Sequence, residues 1–262
     1  MRNCCLRELG RMDYASALEL QRRLVAERQQ GAIDDQLLLV EHPHVVTLGR
    51  NGHRENLLAS DEILERAGVA FHPTDRGGDI TYHGPGQLVG YPILDLREWK
   101  RDVAAYVRAL EEVLIGTLAD FGIAAGRIPK LTGVWVQERK IAAIGVHIAR
   151  WVTSHGFALN VSTDLSYFQY IVPCGLTKPV TSMAALGVRA TLDDVGYVLT
   201  AHFGRVFDCQ MPLAAPALAA PERENRYDRR RDAPDGGKHC GRHADQVAEE
   251  ARRPRGARRA AI

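Results

Sequence analysis

Apolar residues recur at helical spacing in three stretches of the chain. In residues 102–121 they follow the 3.6-residue period of a helix, and Gly122 is a typical stop signal. Residues 13–30 carry a weaker apolar stripe that ends before Gly31. A third helix is predicted after Thr191, whose side chain can cap its first turn. The pattern therefore predicts helices near the start, in the middle and near residue 200.

Short β-rich runs lie between these helices. Residues 36–41 and 45–48 are predicted to form two buried strands. Residues 134–137, 141–148 and 152–161 follow one another with short polar turns between them, as in antiparallel hairpins. Together these elements predict an α+β fold with a mainly antiparallel or mixed sheet packed by helices.

Composition divides the 262 residues into three parts. Residues 1–210 carry all the predicted elements, and residues 211–221 (MPLAAPALAAP) form a Pro/Ala linker. From residue 221 onward the chain has few large apolar residues and carries 12 Lys/Arg against 8 Asp/Glu. Such a segment cannot bury enough surface to offset its ordering entropy. We therefore predict that residues 222–262 form a basic, disordered tail.

Composition also excludes several classes of protein. The apolar fraction is 45% and the charged fraction 25%, as in ordinary soluble domains. The longest stretch without a charged residue, residues 80–94, is shorter than the roughly 20 apolar residues of a membrane helix. The N-terminus lacks the apolar core of a signal peptide, so we expect a cytoplasmic protein. Five cysteines, an odd number, argue against a disulfide framework and favour a nucleophile or ligand role for any important one.

A glycine-rich segment at residues 76–87, RGGDITYHGPGQ, is the first candidate site. Glycines let the backbone approach a ligand closely and expose its N–H groups. A short strand over residues 79–82 followed by a tight turn would place Tyr82 and His83 on opposite faces. A surface hairpin with a Gly-Pro-Gly turn accounts for the same residues equally well, so both interpretations stay open.

Cys174 and Lys140 are two further candidates. Cys174 lies in a Pro-Cys-Gly turn, which can present a thiol for carrying an acyl group as a thioester; a buried structural cysteine is the alternative. Lys140 shares strand parity with Ala142 and Ile144, so in a regular strand it would lean toward the apolar face. An ammonium there needs a partner such as a thiolate. A turn lysine bent into water is the simpler alternative.

Other functions stay open at this point. His83, His147 and His155 could each act as a base, which leaves a Cys/His thioester hydrolase possible. The arginine-rich tail could bind nucleic acid, but the acidic residues mixed into it favour a solvated segment.

Several segments taken together resemble the octanoyltransferase family of lipoate biosynthesis. The resemblance runs from about residue 10 to residue 207. The segments are Arg76-Gly77-Gly78-x-x-Thr81-Tyr82-His83-x-x-Gly86-Gln87-x-x-x-Tyr91, KIAAIGVH at 140–147, HGFALNV at 155–161, Pro173-Cys174-Gly175 with Thr181-Ser182, Glu41-His42-Pro43, and Thr47-Leu48-Gly49.

The resemblance implies a catalytic domain over residues 1–210, similar in fold to the biotin and lipoate protein ligases. It implies transfer of an octanoyl group from octanoyl-acyl carrier protein to a lysine of lipoyl domains, as the first step of protein lipoylation. The acceptors would be 2-oxoacid dehydrogenase complexes and the glycine cleavage H protein. Cys174 would be the acyl-thioester nucleophile, and Lys140 would lower its pKa. The substrate-binding residues would be Arg76, Gly77, Gly78, Asp79, Ile80, Thr81, Tyr82, His83, Ala143, Ile144, Gly145, Gly156, Phe157 and Ala158.

The free energies of the two acyl-transfer steps indicate whether ATP is needed. Exchange between two thioesters is close to thermoneutral, and conversion of a thioester to an amide is downhill, so no ATP is expected. No metal is expected either, because no spacing in residues 1–210 resembles a zinc site. A free lysine has a pKa of about 10.4, so the acceptor amine must lose a proton. Lys140 is the hypothesised base, with His83 as an alternative relay. An ATP-dependent lipoate–protein ligase on a similar fold remains an alternative, and neither a membrane nor a nucleic-acid partner is expected.

Overall fold

A computed structural model describes residues 2–172 and 178–211. Cys174 lies outside the described residues, as do residues 212–221 of the predicted linker and all of the predicted tail. The helices are α1 (Tyr14–Gln29), α2 (Asp61–Arg66), α3 (Val103–Asp120) and α4 (Leu192–Phe207). The strands are β1 (Arg2–Arg11), β2 (Asp35–Glu41), β3 (Val45–Leu48), β4 (Ala70–Pro73), β5 (Ile80–His83), β6 (Gln87–Ile93), β7 (Gly126–Ile128), β8 (Leu131–Val136), β9 (Arg139–Ala149), β10 (Val152–Asn160) and β11 (Cys209–Gln210).

The three predicted helices are confirmed, and side chains cap each of them. Asp13 accepts a hydrogen bond from a backbone N–H of the first turn of α1, and Asp102 does the same for α3. Thr191 caps α4 in a capping box with Asp194. Each such cap contributes about 1 kcal/mol. Each of these helices therefore begins next to a side chain that accepts a hydrogen bond from a backbone N–H group of its first turn.

The predicted mixed sheet is confirmed. Eight strands follow the order β11-β1-β2-β6-β10-β9-β8-β7, with β1 parallel to both of its neighbours and the remaining pairs antiparallel. A second, three-stranded sheet follows the order β4-β3-β5. Helices α3 and α4 pack with one apolar cluster of the large sheet, and α1 packs with another. Within residues 2–172 and 178–211, no helix combines the length and apolar character needed to cross a bilayer.

Candidate functional site

A cavity of about 330 Å³ lies between the two sheets. It is lined by Tyr14, Arg76, Gly78, Asp79, Ile80, Thr81, His83, Val89, Tyr91, Lys130, Leu131, Thr132, Lys140, Ala143, Ile144, Gly145, His155, Gly156, Phe157 and Ala158. The described residues of the predicted site all meet there except Gly77 and Tyr82. A concave, mainly apolar cavity with a few polar groups is typical of a small-molecule site.

Arg76 is held at the cavity wall by Thr47 of β3. Its Nε and Nη2 donate to the Thr47 hydroxyl at 3.1 and 2.9 Å, and Nη2 also donates to the Thr47 carbonyl at 2.7 Å. Gly49 makes room for this loop, because a Cβ at Gly49 would lie 2.3 Å from the carbonyl oxygen of Gly78. The glycine-rich segment therefore brings a buried guanidinium to the cavity, rather than forming only a surface hairpin.

Gly77 and Tyr82 support the cavity from outside it. The Gly77 N–H donates to the Val146 carbonyl at 2.8 Å, which fastens the loop to β9. Tyr82 points to the other side of the small sheet, where its hydroxyl lies 2.7 Å from Nδ1 of His44 and its ring stacks on Tyr167. The expected separation of Tyr82 and His83 onto opposite faces is thus observed, and only His83 lines the cavity.

His83 is a neutral imidazole in this cavity wall. Its Nδ1 lies 2.8 Å from Oε1 of Gln87, and its ring stacks on that of Tyr14. Burial, reinforced by the nearby His42 and Arg76, lowers the pKa of His83 to about 3. A group with so low a pKa is a weak base at neutral pH, which argues against His83 as the proton relay.

Lys140 reaches the cavity because β9 is bulged. Val134 pairs with Ala142 while Trp135 pairs with Lys140, so Ile141 is an extra residue in the ladder. Both Ile141 and Ala142 face the core, and Lys140 lines the cavity. The expectation that Lys140 keeps the parity of Ala142 is therefore wrong, because a regular strand was assumed. The bulge turns the lysine toward the cavity.

A carboxylate–histidine pair borders the same cavity. Nε2 of His155 lies 2.8 Å from Oδ1 of Asp75, and Nε2 of His147 lies 3.8 Å from Oδ2. His155 has φ of 55°, a left-handed conformation that is uncommon for a residue other than glycine. Its N–H donates to Gln21 at 2.8 Å, which holds that conformation. Burial lowers the pKa of His155, although Asp75 opposes the shift.

The small residues of β9 and β10 have two different roles. Ala143 and Ala158 face each other across the two strands and both line the cavity. Gly145 and Gly156 instead permit close backbone approach. A Cβ at Gly145 would lie 2.8 Å from the Gly77 carbonyl oxygen, and one at Gly156 would lie 2.2 Å from the Gly90 carbonyl oxygen.

Seven of the lining residues are not among the predicted site residues: Tyr14, Val89, Tyr91, Lys130, Leu131, Thr132 and His155. Of these, Tyr91 stands in the family signature and His155 was a candidate base. Tyr14 has the signature of a core residue of α1, and nothing local separates the two roles. Leu131 and Thr132 begin β8, three residues before the predicted strand starts. A strand predicted to begin at Leu131 would have placed both residues at the edge of the site.

Comparison with known proteins agrees with this geometry. The family model of the lipoyl protein ligase A/B catalytic domain matches residues 13–204. An octanoyltransferase of Solibacter usitatus is 78% identical over 220 residues, covering 84% of this chain and 100% of that protein. Octanoyltransferases of Acidobacterium capsulatum and Koribacter versatilis are 52% and 56% identical, covering 83% and 78% of this chain and 96% and 84% of those proteins. The chain therefore belongs to the lipoyl protein ligase A/B catalytic-domain family and, within it, to the octanoyltransferases, which are acyltransferases.

Solved structures show the same fold. A lipoate protein ligase of T. acidophilum with bound lipoic acid superposes with a TM-score of 0.67 at 18% identity, covering 80% of this chain and 88% of that one. A lipoate-protein ligase A bound with ATP gives a TM-score of 0.67 at 18% identity, covering 82% and 89%. The predicted similarity to lipoate ligases in fold is confirmed.

Proposed function

We propose that this chain moves an octanoyl group from octanoyl-acyl carrier protein to a lysine of lipoyl domains, through an acyl thioester on Cys174. The observation that supports this most is the meeting of Lys140 with the predicted substrate-binding residues at one cavity, in a chain of the octanoyltransferase family. The acceptors are the lipoyl domains of 2-oxoacid dehydrogenase complexes and the glycine cleavage H protein. The cytoplasmic location stays a prediction of the sequence.

Chain connectivity allows Cys174 to reach Lys140. The Lys140 N–H donates to the Pro179 carbonyl at 2.9 Å, and the Thr181 N–H donates to the Lys140 carbonyl at 2.9 Å. Pro179 follows Cys174 by five residues, a span of about 17 Å at most for an extended chain. On the other side, the Val172 N–H donates to the Asn56 carbonyl at 2.7 Å. Both flanks of the cysteine segment are therefore held by backbone hydrogen bonds.

The cavity is suited to an aliphatic chain. Its apolar walls include Ile144 and Phe157, with Ala143 and Ala158 leaving space between them. Each methylene group removed from water contributes about 0.8 kcal/mol. The chain of an octanoyl group therefore supplies several kcal/mol of binding, and the polar thioester is left toward Lys140.

Lys140 completes a closed proton cycle in this proposal. Its ammonium stabilises the Cys174 thiolate, which attacks the donor thioester carbon and forms the acyl-enzyme. The ammonium then gives its proton to the departing thiolate of the carrier. The acceptor lysine enters as its neutral amine, its ammonium proton having gone to solvent, and the neutral amine of Lys140 takes one further proton from the acceptor nitrogen as that nitrogen bonds to the acyl carbon. Cys174 leaves as thiolate, and the ion pair is restored. No ATP or metal enters these steps.

Two variants separate the roles of Lys140. Lys140→Arg keeps a positive charge but gives up no proton and offers no neutral amine. It is expected to form the acyl-enzyme, with the carrier leaving as a thiolate that takes its proton from solvent, and to pass the acyl group on slowly. Lys140→Met should impair both steps. Transfer at the normal rate by Lys140→Arg contradicts the base role.

Intact mass spectrometry after mixing with octanoyl-acyl carrier protein tests the function as a whole. We expect an octanoyl adduct at Cys174 that disappears when a lipoyl domain is added. Cys5→Ala, which removes an exposed thiol, is the matched control for adventitious acylation and should leave the adduct unchanged. Discharge to free octanoate without acyl-lysine favours a hydrolase. Lipoylation by Cys174→Ala with free acid and ATP favours a ligase.

A further inference from the structure

Two backbone carbonyls determine the orientation of a buried amide chain beside the cavity. Asn160 Nδ2 donates to the Thr181 carbonyl at 2.9 Å, and Gln87 Nε2 donates to the Tyr82 carbonyl at 3.3 Å and to Asn160 Oδ1 at 2.9 Å. A carbonyl oxygen only accepts, so each amide nitrogen must face its carbonyl. Oε1 of Gln87 therefore faces Nδ1 of His83 at 2.8 Å.

This orientation selects one tautomer of His83. Because Oε1 of Gln87 can only accept, Nδ1 of His83 must carry the hydrogen. Nε2 of the neutral ring then carries a lone pair. No donor from the described part of the chain reaches Nε2, although His83 is only 6% exposed and lines the cavity. The cavity thus presents to the ligand an imidazole nitrogen that accepts no hydrogen bond from residues 2–172 or 178–211.

The reacting groups of the two substrates differ in whether they can donate a hydrogen bond to Nε2 of His83. The octanoyl chain has no N–H or O–H, and its thioester oxygen only accepts. The amine of the acceptor lysine is the reacting group that carries N–H. We infer that Nε2 of His83 accepts a hydrogen bond from the acceptor amine and orients its lone pair toward the acyl carbon, with Gln87 and Asn160 as positioning residues. This inference rests on the proposed acyl transfer.

The chemical step stays balanced with His83 in this role. The amine nitrogen forms a bond to the acyl carbon, and the bond from that carbon to the Cys174 sulfur breaks with its electron pair on sulfur. The amine proton passes to Lys140, and His83 gains none. The amide chain is also tied to Lys140, because the Thr181 N–H donates to the Lys140 carbonyl at 2.9 Å. Hydrogen bonds therefore connect His83, which accepts from the incoming amine, to the backbone of Lys140, which is the base.

Several charged and titratable groups surround His83. They come from the loop before β5, from α1, from the segment after β2, and from β6, β9 and β10: Arg76, Tyr14, His42, Tyr91, Lys140 and His155. Burial is the largest cause of the lowered pKa of His83; His42, Arg76 and His155 lower it further, and the hydrogen bond to Gln87 opposes the shift. Two carboxylates lie near this group: Asp79 lines the same cavity, and Asp75 is hydrogen-bonded to His155.

Variants of Gln87 test the inference through the two half-reactions. Gln87→Met removes the acceptor for Nδ1–H at similar volume. We expect acyl-enzyme formation within about twofold of the parent and transfer to the lipoyl domain slowed about 10- to 100-fold, the range found when the hydrogen-bond partner that orients a metal-bound histidine is removed. Gln87→Glu keeps an acceptor for Nδ1–H but loses the N–H groups that face Tyr82 and Asn160, so above neutral pH transfer should exceed that of Gln87→Met without matching the parent. It should fall in acid, because a carboxylate favours the imidazolium, which has no lone pair at Nε2. Gln29→Met, which removes a similar side-chain amide bonded to Ala149, is the control and should leave both steps unchanged.

Nitrogen-15 NMR of the full chain tests the tautomer directly and needs no variant. We expect His83 to carry hydrogen on Nδ1, as does His42, whose Nδ1 lies 2.7 Å from the Met12 carbonyl. Hydrogen on Nε2 of His83 overturns the inference. So does unimpaired transfer by Gln87→Met with loading intact, and that result leaves the proposed acyl transfer standing. Failure of the parent protein to load Cys174 overturns the proposed function instead.

Discussion

The ammonium nitrogen of Lys140 lies 4.8 Å from the centre of the Trp135 ring, over its face. The two residues are paired across β8 and β9 at the bulge that turns Lys140 toward the cavity. The face of an indole carries negative potential, so it favours a cation placed above it. Trp135 is buried and cannot move away. The ring therefore acts as a platform that holds the charged end of the lysine.

Replacing this platform is expected to slow formation of the acyl-enzyme. A cation–π contact contributes about 0.5–1 kcal/mol at partly exposed sites, which corresponds to a two- to fivefold change in rate. Trp135→Leu should show a loss of this size in single-turnover loading of Cys174 by octanoyl-acyl carrier protein. Trp135→Phe keeps an aromatic face and is the matched control. Equal losses in both variants would attribute the effect to packing alone.

The helices could be predicted because their signals are local. The periodicity of α3 and the capping residues Asp102 and Thr191 lie within a few residues of the turns they stabilise. The strand β1 and its parallel pairing with β2 were not predicted. That pairing joins residues about 30 positions apart, and no local signal encodes it.

The site was predicted in outline for a different reason. Its glycine-rich loop and Lys140 are candidates on local sequence, and a family resemblance joins them into one site, while the bulge at Ile141 and the left-handed His155 depend on neighbouring strands. Tyr14, the first residue of α1, joins the site only because the fold brings it to the small sheet, where its ring stacks on His83 and its hydroxyl donates to Thr74 at 3.0 Å. Contacts of this kind follow from the assembled fold and not from local spacing.

Acid is expected to destabilise the fold through His83. Its folded-state pKa of about 3 lies below the ordinary 6.5. Between these two pH values the unfolded chain binds a proton at this residue and the folded chain does not. The free energy of unfolding should therefore fall as the pH drops from 6.5 toward 3. Between pH 7 and pH 5 this single group accounts for about 2 kcal/mol. Urea unfolding at both pH values measures the loss. His83→Asn should flatten the slope, whereas His53→Asn, at an exposed position, should not. The same slope in His83→Asn and in the parent would show that other groups cause it.

The length of the acyl chain is expected to depend on Ala143. Its side chain faces the cavity opposite Ala158, so Ala143→Leu fills space that the chain would occupy. Two fewer methylene groups cost about 1.6 kcal/mol of binding, so the ratio of octanoyl to hexanoyl loading should fall about tenfold. Competition between the two acyl carrier proteins measures this ratio. Ala149→Leu, near the end of the same strand and outside the cavity lining, is the control. An unchanged ratio in Ala143→Leu would place the acyl chain elsewhere.

Gly145 is expected to hold the Arg76 loop in place by having no side chain. A Cβ there would lie 2.8 Å from the Gly77 carbonyl oxygen and 3.3 Å from Cδ of Arg76, so Gly145→Ala must push the loop away from β9. Overpacking of this kind costs about 1–3 kcal/mol. The hydrogen bond from Gly77 to Val146 would lengthen, and Arg76 would lose its fixed position at the cavity wall.

Gly126→Ala is the matched control for Gly145→Ala. Gly126 also lies in a strand without a positive φ, and a Cβ there would meet nothing within 4 Å. Alanine should be neutral or slightly stabilising at this position, because it restricts the unfolded chain. Thermal unfolding and single-turnover loading of both variants measure the difference. We expect Gly145→Ala to lose stability and to load more slowly while Gly126→Ala matches the parent. Normal loading by a destabilised Gly145→Ala would show that the position of Arg76 is not needed for acyl-enzyme formation.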